Sequence, residues 1–188
     1  MDEKDRKIIS ILQKNGKATL AEMAEEVGLS AMGVKKRLDK LEKGGEIKLT
    51  ALLNVEKLKI ITAIIAIEIE SADALEKLLK RFENCPRIIK FFITTGSYNL
   101  FALIFTEDYH TLESISLEKC SLRSQPGIRR FEIYPIQEIY YDSYLDIKVV
   151  PDKSREIAPC GVFCGDCKRY ETNKCLGCPA TKFYRGIL

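Results

Sequence analysis

Three short segments with helical spacing of apolar residues open the chain. Residues 2–16 place three large apolar side chains on one face, with acids at the start and a glycine after the end. Residues 19–28 begin with Thr19 followed three positions later by Glu22, which is the pattern of a capping box. Ser30 then caps a third amphipathic segment after a turn of only three residues. The pattern predicts a helix-turn-helix.

The start of the third helix carries residues suited to the major groove of DNA. Small or flexible residues come first and basic ones follow, which would place a helix end between phosphate groups. The predicted DNA-binding residues are Ser30, Ala31, Met32, Lys35, Lys36, Arg37 and Lys40. The alternative is a small helical bundle whose lysines only solvate one face.

The segment that follows the third helix alternates between polar and apolar residues. Residues 45–55 therefore predict a short strand or wing before the next domain. On this basis the N-terminal domain is a winged helix-turn-helix that covers residues 1–53.

The pattern changes after residue 54, where β-branched strands alternate with helical segments. Residues 59–70 and 87–108 contain three strands, two of them flanking a turn at Gly96, and residues 128–141 contain a fourth. Two amphipathic helices separate these strands in the order βαββαβ. The sequence predicts an α+β, ferredoxin-like domain over residues 54–145, with both helices on one face of an antiparallel sheet.

Both faces of this predicted sheet are apolar. The first strand has Ile65 and Ile67 on one face and Ile64 and Ala66 on the other, and residues 100–105 are apolar on both sides. Two helices can cover only one of these faces. The other face predicts a homodimer, or a higher oligomer, formed by packing against a second copy of the same sheet.

Overall composition adds little to this picture and excludes one class. The 188 residues are 46% hydrophobic and 30% charged, with a net charge of +3, which is ordinary for a globular protein. The sequence has no apolar run of 18 residues and no signal-peptide pattern at its start. We therefore expect a cytoplasmic protein without a membrane partner.

The N-terminal motifs "VGLS", "KKRL" and "LDKLEKGGEI" resemble the DNA-binding half of the leucine-responsive regulatory protein (Lrp/AsnC) family. The resemblance implies a transcriptional regulator rather than an enzyme, bound to double-stranded DNA as a dimer with half-sites roughly 34 Å apart or a multiple of that. In that family a small molecule, often an amino acid, lies near a Gly-x-Tyr-Asp loop. The chain reads "GSYN" there, so the implied effector-binding residues are Gly96, Tyr98 and Asn99. A tight turn with Gly96 at positive φ and no ligand is the alternative.

An enzymatic branch with a similar double fold, the sirohaem decarboxylases, supplies a second function class. Those enzymes use histidines near a tetrapyrrole, and this chain has a single histidine, His110, at a predicted helix start. A tetrapyrrole-processing enzyme is therefore the alternative function, and an effector-domain scaffold that does not bind DNA is a third.

The C-terminal segment has the densest chemistry in the chain. Residues 146–159 predict a polar linker, and residues 160–188 predict a small cysteine-rich metal knuckle. The spacing is C-x3-C-x2-C-x7-C-x2-C, and the predicted metal ligands are Cys160, Cys164, Cys167, Cys175 and Cys178. The segment also resembles uncharacterised cysteine-rich modules, which adds no chemistry.

Three kinds of cross-link fit this cysteine spacing. Two C-x2-C pairs favour zinc. A 4Fe-4S cluster is the alternative, because C-x3-C-x2-C can span three corners of a cube and Cys178 precedes Pro179. Disulfides are the third choice. The remaining cysteines, Cys85 and Cys120, are distant in sequence and are interpreted as ordinary buried thiols.

Overall fold

The computed structural model describes all 188 residues and divides into two compact units, Met1–Ala51 and Leu52–Leu188. Residues 146–159 and 160–188, predicted as a linker and a separate knuckle, belong to the second unit. None of the helices has the length and apolar character needed to cross a membrane.

The first unit is a three-helix helix-turn-helix. Its helices are α1 (Glu3–Lys14), α2 (Leu20–Val27) and α3 (Ala31–Lys43). Thr19 and Glu22 form the predicted capping box of α2, and Gly28 ends that helix with a left-handed φ of 62°. The Ser30 hydroxyl accepts a hydrogen bond from the amide of Gly33 at 3.1 Å and caps α3. The predicted helices and the three-residue turn are confirmed.

The predicted wing was wrong, because residues 44–52 form no strand. The only extended pairing nearby is that of β1 (Leu53–Asn54) with β6 (Tyr144–Leu145), and it lies within the second unit. Leu49 and Leu52 are about half exposed, whereas Ile47 packs against the core of the first unit, so the alternation does not correspond to one buried strand face.

The second unit contains the predicted ferredoxin-like sheet with its two helices. Its elements are β2 (Ile61–Ile69), α4 (Ala72–Phe82), β3 (Ile88–Ile93), β4 (Leu100–Thr106), α5 (Tyr109–Leu117), a 3-10 turn (Leu122–Ser124) and β5 (Ile128–Pro135). The antiparallel strands lie in the order β3-β4-β2-β5, with Ile65 opposite both Ala102 and Ile133. This is the topology of a βαββαβ unit.

The helices cover one face of the sheet and leave the other partly exposed. Ile65, Ile67 and Leu100 point to the helix face and are at most 2% exposed. On the opposite face Ile64 is 38% exposed and Phe92 is 50% exposed. Because successive side chains of a strand point to opposite faces, one face of the sheet forms the buried core and the other is an exposed apolar surface.

The C-terminal segment packs against the helix side of the sheet domain. Ala158 and Cys160 are buried in the same core cluster as the sheet residues and Leu112 of α5. The segment itself contains only one short helix, α6 (Lys168–Glu171), and a stack in which Phe183 contacts the rings of Phe163 and Tyr170. About thirty residues bury little apolar area alone, so this segment shares the core of its neighbour.

Candidate functional site

The exposed face of α3 carries most of the residues predicted to bind DNA. Val34, Leu38 and Leu41 form the buried face of α3. The opposite face of the helix is therefore exposed. The exposed residues on that face are Ser30, Ala31, Met32, Lys35, Lys36 and Lys40. No hydrogen bond or ion pair occupies the Lys35, Lys36 or Lys40 ammonium groups. These groups are available for phosphate contacts.

Arg37 differs from its neighbours because its guanidinium is already engaged. It donates to the carboxylates of Asp2 at 2.6 Å and Asp5 at 2.7 Å, at the start of α1. Hydrogen bonds from the Asp5 amide and from Arg37 lower the pKa of Asp2 to about 2. Arg37 therefore joins α3 to the amino end of α1, although the sequence placed it among the DNA-binding residues.

The loop at the predicted effector site is held to the end of β2 by Asn99. The Asn99 carboxamide accepts from the Ile69 amide and donates to the Ile69 carbonyl, each at 2.8 Å. The carboxamide oxygen and nitrogen thus form the two hydrogen bonds that the backbone of a neighbouring strand would otherwise form with Ile69. Gly96 does not have a positive φ, so the tight-turn alternative fails in that respect.

Beside this loop, Glu132 of β5 lies between two tyrosines. Its carboxylate accepts hydrogen bonds from the hydroxyls of Tyr98 and Tyr134. These hydroxyls, Tyr134 first and Tyr98 second, hold the pKa of Glu132 below its usual range. Tyr98 also packs edge-on against Phe101, with ring centroids 6.3 Å apart. The sheet face without helices therefore presents a carboxylate that is anionic at neutral pH.

The cysteines form the second site in this unit, and they line one cavity of about 750 Å³ on the helix side of the sheet. Its walls include all seven cysteines: Cys85, Cys120, Cys160, Cys164, Cys167, Cys175 and Cys178. All seven are free thiols, so the disulfide alternative is not seen. In this structure no three or more Cys, His, Asp or Glu side chains converge as a mononuclear metal site. Zinc binding by the tail therefore stays a prediction.

Burial raises the pKa of four of these thiols. It raises the pKa of Cys85 to about 11 and that of Cys178 to about 12, and it also raises that of Cys164. The pKa of Cys120 is raised by burial first and then by the thiols of Cys160 and Cys175. Binding of a cation would therefore release protons from these groups.

A buried polar network fastens the cysteine segment to the sheet domain. Arg87 pairs with Glu107 at 2.8 Å, with both side chains 6% exposed, and donates to the Gly177 carbonyl at 2.7 Å. The hydroxyl of Tyr184 also donates to Glu107. Gly177 has a φ of 79°, and a Cβ there would lie 2.5 Å from the Phe183 carbonyl oxygen, so the turn between two cysteines requires glycine.

Helix α5 supplies the other half of this contact. Arg169 donates to the Ser114 hydroxyl at 2.6 Å and pairs with Glu113. The Leu176 amide donates to the Thr111 hydroxyl at 3.1 Å. The cysteine segment is thus tied to α5 on one side and to the start of β3 on the other.

Sequence reasoning missed two cysteines of this cavity. Cys85 follows α4 and Cys120 follows α5, so each comes at the carboxyl end of a helix that covers the sheet. In a βαββαβ unit those helix ends are 35 residues apart in sequence and adjacent only after folding. The sequence offered one signal: both cysteines outside the C-terminal segment come at the end of a predicted helix.

The fold and the exposed helix together define a class of protein. A helix-turn-helix unit with a basic, exposed recognition face is followed along the chain by a ferredoxin-like domain, which is the arrangement of a DNA-binding regulator with a ligand-binding domain. An AsnC-type helix-turn-helix domain model matches residues 1–42, and an Lrp/AsnC ligand-binding domain model matches residues 62–145. The chain belongs to the Lrp/AsnC family and is a DNA-binding transcriptional regulator.

Individual relatives agree with this placement. Regulatory protein AsnC of Haemophilus influenzae is 30% identical over 125 residues, which is 65% of this chain and 83% of that protein. The HTH-type transcriptional regulator FL11 of Pyrococcus abyssi is 37% identical over 119 residues, which is 61% of this chain and 76% of the relative. Residues 146–188 lie outside both family models.

Solved structures show the same fold. A transcriptional regulator of Neisseria meningitidis in complex with L-Met has a TM-score of 0.67 and 27% identity, covering 76% of this chain and 94% of that one. Escherichia coli AsnC has a TM-score of 0.65 at 21% identity, covering 74% and 94%. The tetrapyrrole-enzyme alternative was wrong, because the family consists of regulators and His110 is an exposed residue of α5.

Proposed function

We propose that this regulator acts as a dimer whose α3 helices read the operator, and that a small molecule and a metal centre modulate its binding to DNA. The observation that carries the DNA part is the outward face of α3, where Lys35, Lys36 and Lys40 have no intramolecular partner. Their positions favour phosphate contacts that flank the base contacts of Ser30, Ala31 and Met32. Arg37 braces α3 against α1 through Asp2 and Asp5, and its contact with DNA stays a prediction.

The proposed effector site lies at the loop of Gly96, Tyr98 and Asn99. Because the carboxamide of Asn99 is engaged by Ile69, the anionic partner for an α-ammonium group is Glu132. The complex of the Neisseria relative with L-Met supports an amino acid as the ligand class.

The proposed metal centre uses the cysteine segment. Cys160, Cys164, Cys167, Cys175 and Cys178 line one cavity, and thiolates bind soft metals such as zinc or the iron of a cluster. Because the segment is bonded to α5 and to Arg87, metal occupancy would act on the effector domain directly.

A mobility-shift titration on the chain's own promoter tests the DNA assignment. The double variant Lys35→Glu and Lys36→Glu should weaken binding by about 10-fold or more and flatten its salt dependence, because each lysine–phosphate contact releases counterions. The matched control is Lys14→Glu with Lys17→Glu, which makes the same charge change on exposed positions of the same unit away from α3.

The control should bind nearly as the parent does. Equal losses in both double variants would show that overall charge, rather than the α3 face, drives binding. Retained binding by the Lys35 and Lys36 variant would show that α3 is not the recognition helix. Sedimentation of each variant checks that the assembly is unchanged.

A further inference from the structure

The seven cysteines of this chain come from four separate places and meet at one cavity. Cys85 and Cys120 follow the two helices of the sheet domain, and the other five belong to the C-terminal segment in two groups. A cavity on which every thiol of a 188-residue chain converges is a built feature of the fold. Its wall contains no histidine, so thiol sulfur is the main donor available.

The size of the cavity favours one class of occupant. A zinc ion held by four thiolates has Zn–S bonds of about 2.3 Å, which places the sulfurs about 3.8 Å apart and fills the space between them. An iron–sulfur cluster places its own iron and sulfide atoms between the cysteines, and so requires an open volume surrounded by thiols. The cavity, with a volume of about 750 Å³ and thiols from four places in the chain in its wall, leaves room for a cluster between them.

The charge around the cavity also fits an anionic cluster. Four basic side chains contribute to its wall and only two acidic ones do. The basic residues are Arg81, Arg87, Lys119 and Lys168, and the acidic ones are Glu118 and Asp166. A cluster with four thiolate ligands carries net negative charge, which nearby cations stabilise in a partly buried site.

Cys120 is the cysteine of the sheet domain best placed to share in ligation. It follows α5, the helix to which Arg169 and Leu176 of the C-terminal segment are hydrogen-bonded, and it lines the cavity together with the C-x3-C-x2-C group of Cys160, Cys164 and Cys167. Among the cysteines that line this cavity, the C-x3-C-x2-C group supplies three thiols with the spacing of a cluster motif, and Cys120 supplies one from the sheet domain.

We propose that the cavity holds a 4Fe-4S cluster ligated by Cys160, Cys164, Cys167 and Cys120, so that the cluster bridges the C-terminal segment and the end of α5. This proposal rests on the metal-centre part of the proposed function and replaces zinc with a cluster. Cys85, Cys175 and Cys178 line the cavity without being ligands. The fourth ligand, Cys120, thus belongs to the sheet domain, and the C-terminal segment alone would not complete the site.

The test is anaerobic purification of the full chain with measurement of iron, acid-labile sulfide, zinc and the absorption spectrum. The parent should contain about four iron and four sulfide per chain. Its spectrum should show the broad visible absorption that arises from sulfide-to-iron charge transfer. Cys120→Ser should lose most of its iron and sulfide. Cys85→Ser is the matched control, with the same substitution on the same cavity wall and in the same domain, and it should keep both.

Several results would overturn the proposal. Zinc without iron in the parent would exclude a cluster, and full iron and sulfide in Cys120→Ser would exclude Cys120 as a ligand. Equal loss in Cys85→Ser would point to a general collapse of the cavity. Circular dichroism and sedimentation identify misfolding. Cys120→Asp, which retains an iron-binding group, should keep a cluster whose electron paramagnetic resonance spectrum, recorded after one-electron reduction with dithionite, differs from that of the parent.

The metal readout separates this proposal from the regulatory one. If Cys120→Ser loses the cluster and still binds the promoter as the parent does, the cluster assignment stands and the modulation of DNA binding fails. If the parent holds the cluster and Lys35→Glu with Lys36→Glu leaves the shift unchanged, only the α3 assignment fails.

Discussion

At the scale of single residues, the negative charge near the loop of Gly96, Tyr98 and Asn99 is carried by a residue of another element and not by the loop itself. Asn99 stands where the Gly-x-Tyr-Asp loop of the Lrp/AsnC family has aspartate, and its carboxamide is paired with the backbone of Ile69. The negative charge at this surface comes instead from Glu132, whose pKa is lowered by hydrogen bonds from the hydroxyls of Tyr134 and Tyr98. In the proposed effector site, the group that would pair with an ammonium therefore lies on β5.

We expect Glu132→Gln to weaken binding of L-methionine by about 10-fold, because a neutral amide loses the charge-assisted hydrogen bond to the ammonium group. Isothermal titration calorimetry on the full chain measures this. Glu138→Gln is the matched control, since Glu138 is an exposed acid beyond the end of β5.

The 2-hydroxy analogue of methionine, which has no ammonium group, sharpens the comparison. The parent should discriminate against it, and Glu132→Gln should not. Unchanged affinity of Glu132→Gln for L-methionine, or no binding by the parent, would contradict the assignment of this site.

At the scale of elements, an ionic brace fixes the recognition helix against α1. Asp2 caps α1 and exchanges hydrogen bonds with Asp5 in a capping box, and both carboxylates hold Arg37. Because this contact connects two helices 32 or more residues apart, it supports the tertiary arrangement and not only the cap.

The brace should make the stability of the first unit depend on pH in the acid range. The folded-state pKa of Asp2 is lowered from 3.8 to about 2, so its contribution is fully present above pH 3.8 and is lost as the pH falls through about 2. The double variant Asp2→Asn and Asp5→Asn keeps hydrogen-bonding caps and removes the charges.

Thermal unfolding followed by circular dichroism should show a lower midpoint for this variant at pH 6 and a difference that shrinks toward pH 2. Asp39→Asn, which removes an exposed acid of α3, serves as the control and should match the parent. A midpoint difference that is constant from pH 6 to pH 2 would contradict an ionic brace.

At the scale of the whole molecule, the two faces of the sheet have different occupants. The helices and the cysteine segment cover one face, and Ala158 and Cys160 enter its core. The other face keeps an apolar surface with half-exposed Phe92 and Tyr134, to which the cysteine segment adds no cover. The segment is therefore compatible with a dimer built through the free face.

We expect Phe92→Lys to dissociate the dimer in sedimentation equilibrium at micromolar concentration. Phe92 is already half buried in a single protomer, so the interface would gain roughly half of the 1.5–3 kcal/mol of full burial from each of its two copies. The dissociation constant of the dimer should therefore rise by about 10-fold to 100-fold. The charge introduced into an apolar interface adds to this loss.

The neighbouring residue provides the control for that measurement. Ile93 is 64% exposed and, being opposite Leu100 in the register, belongs to the helix side of the sheet. Ile93→Lys should remain dimeric. A parent chain that is monomeric, or a Phe92→Lys chain that is as dimeric as the parent, would show that this face is not the interface.

Local rules were enough to predict most of the secondary structure. The helices of the first unit follow from capping residues and 3.6-residue periodicity, and Thr19, Glu22, Gly28 and Ser30 act as the sequence indicated. The βαββαβ order likewise follows from alternation and from the lengths of the segments. These signals are local, because each depends on residues a few positions apart.

The sequence by itself determined the helix-turn-helix, the order of the sheet domain and the presence of a thiol-rich segment, because each is written in short-range spacing. Only the tertiary structure decided that no wing strand forms, that Arg37 serves α1, that Asn99 is engaged by β2, and that Cys85 and Cys120 meet the tail. Each of these depends on a partner distant in the chain, and alternation or spacing carries no information about which distant side chain folding brings within reach.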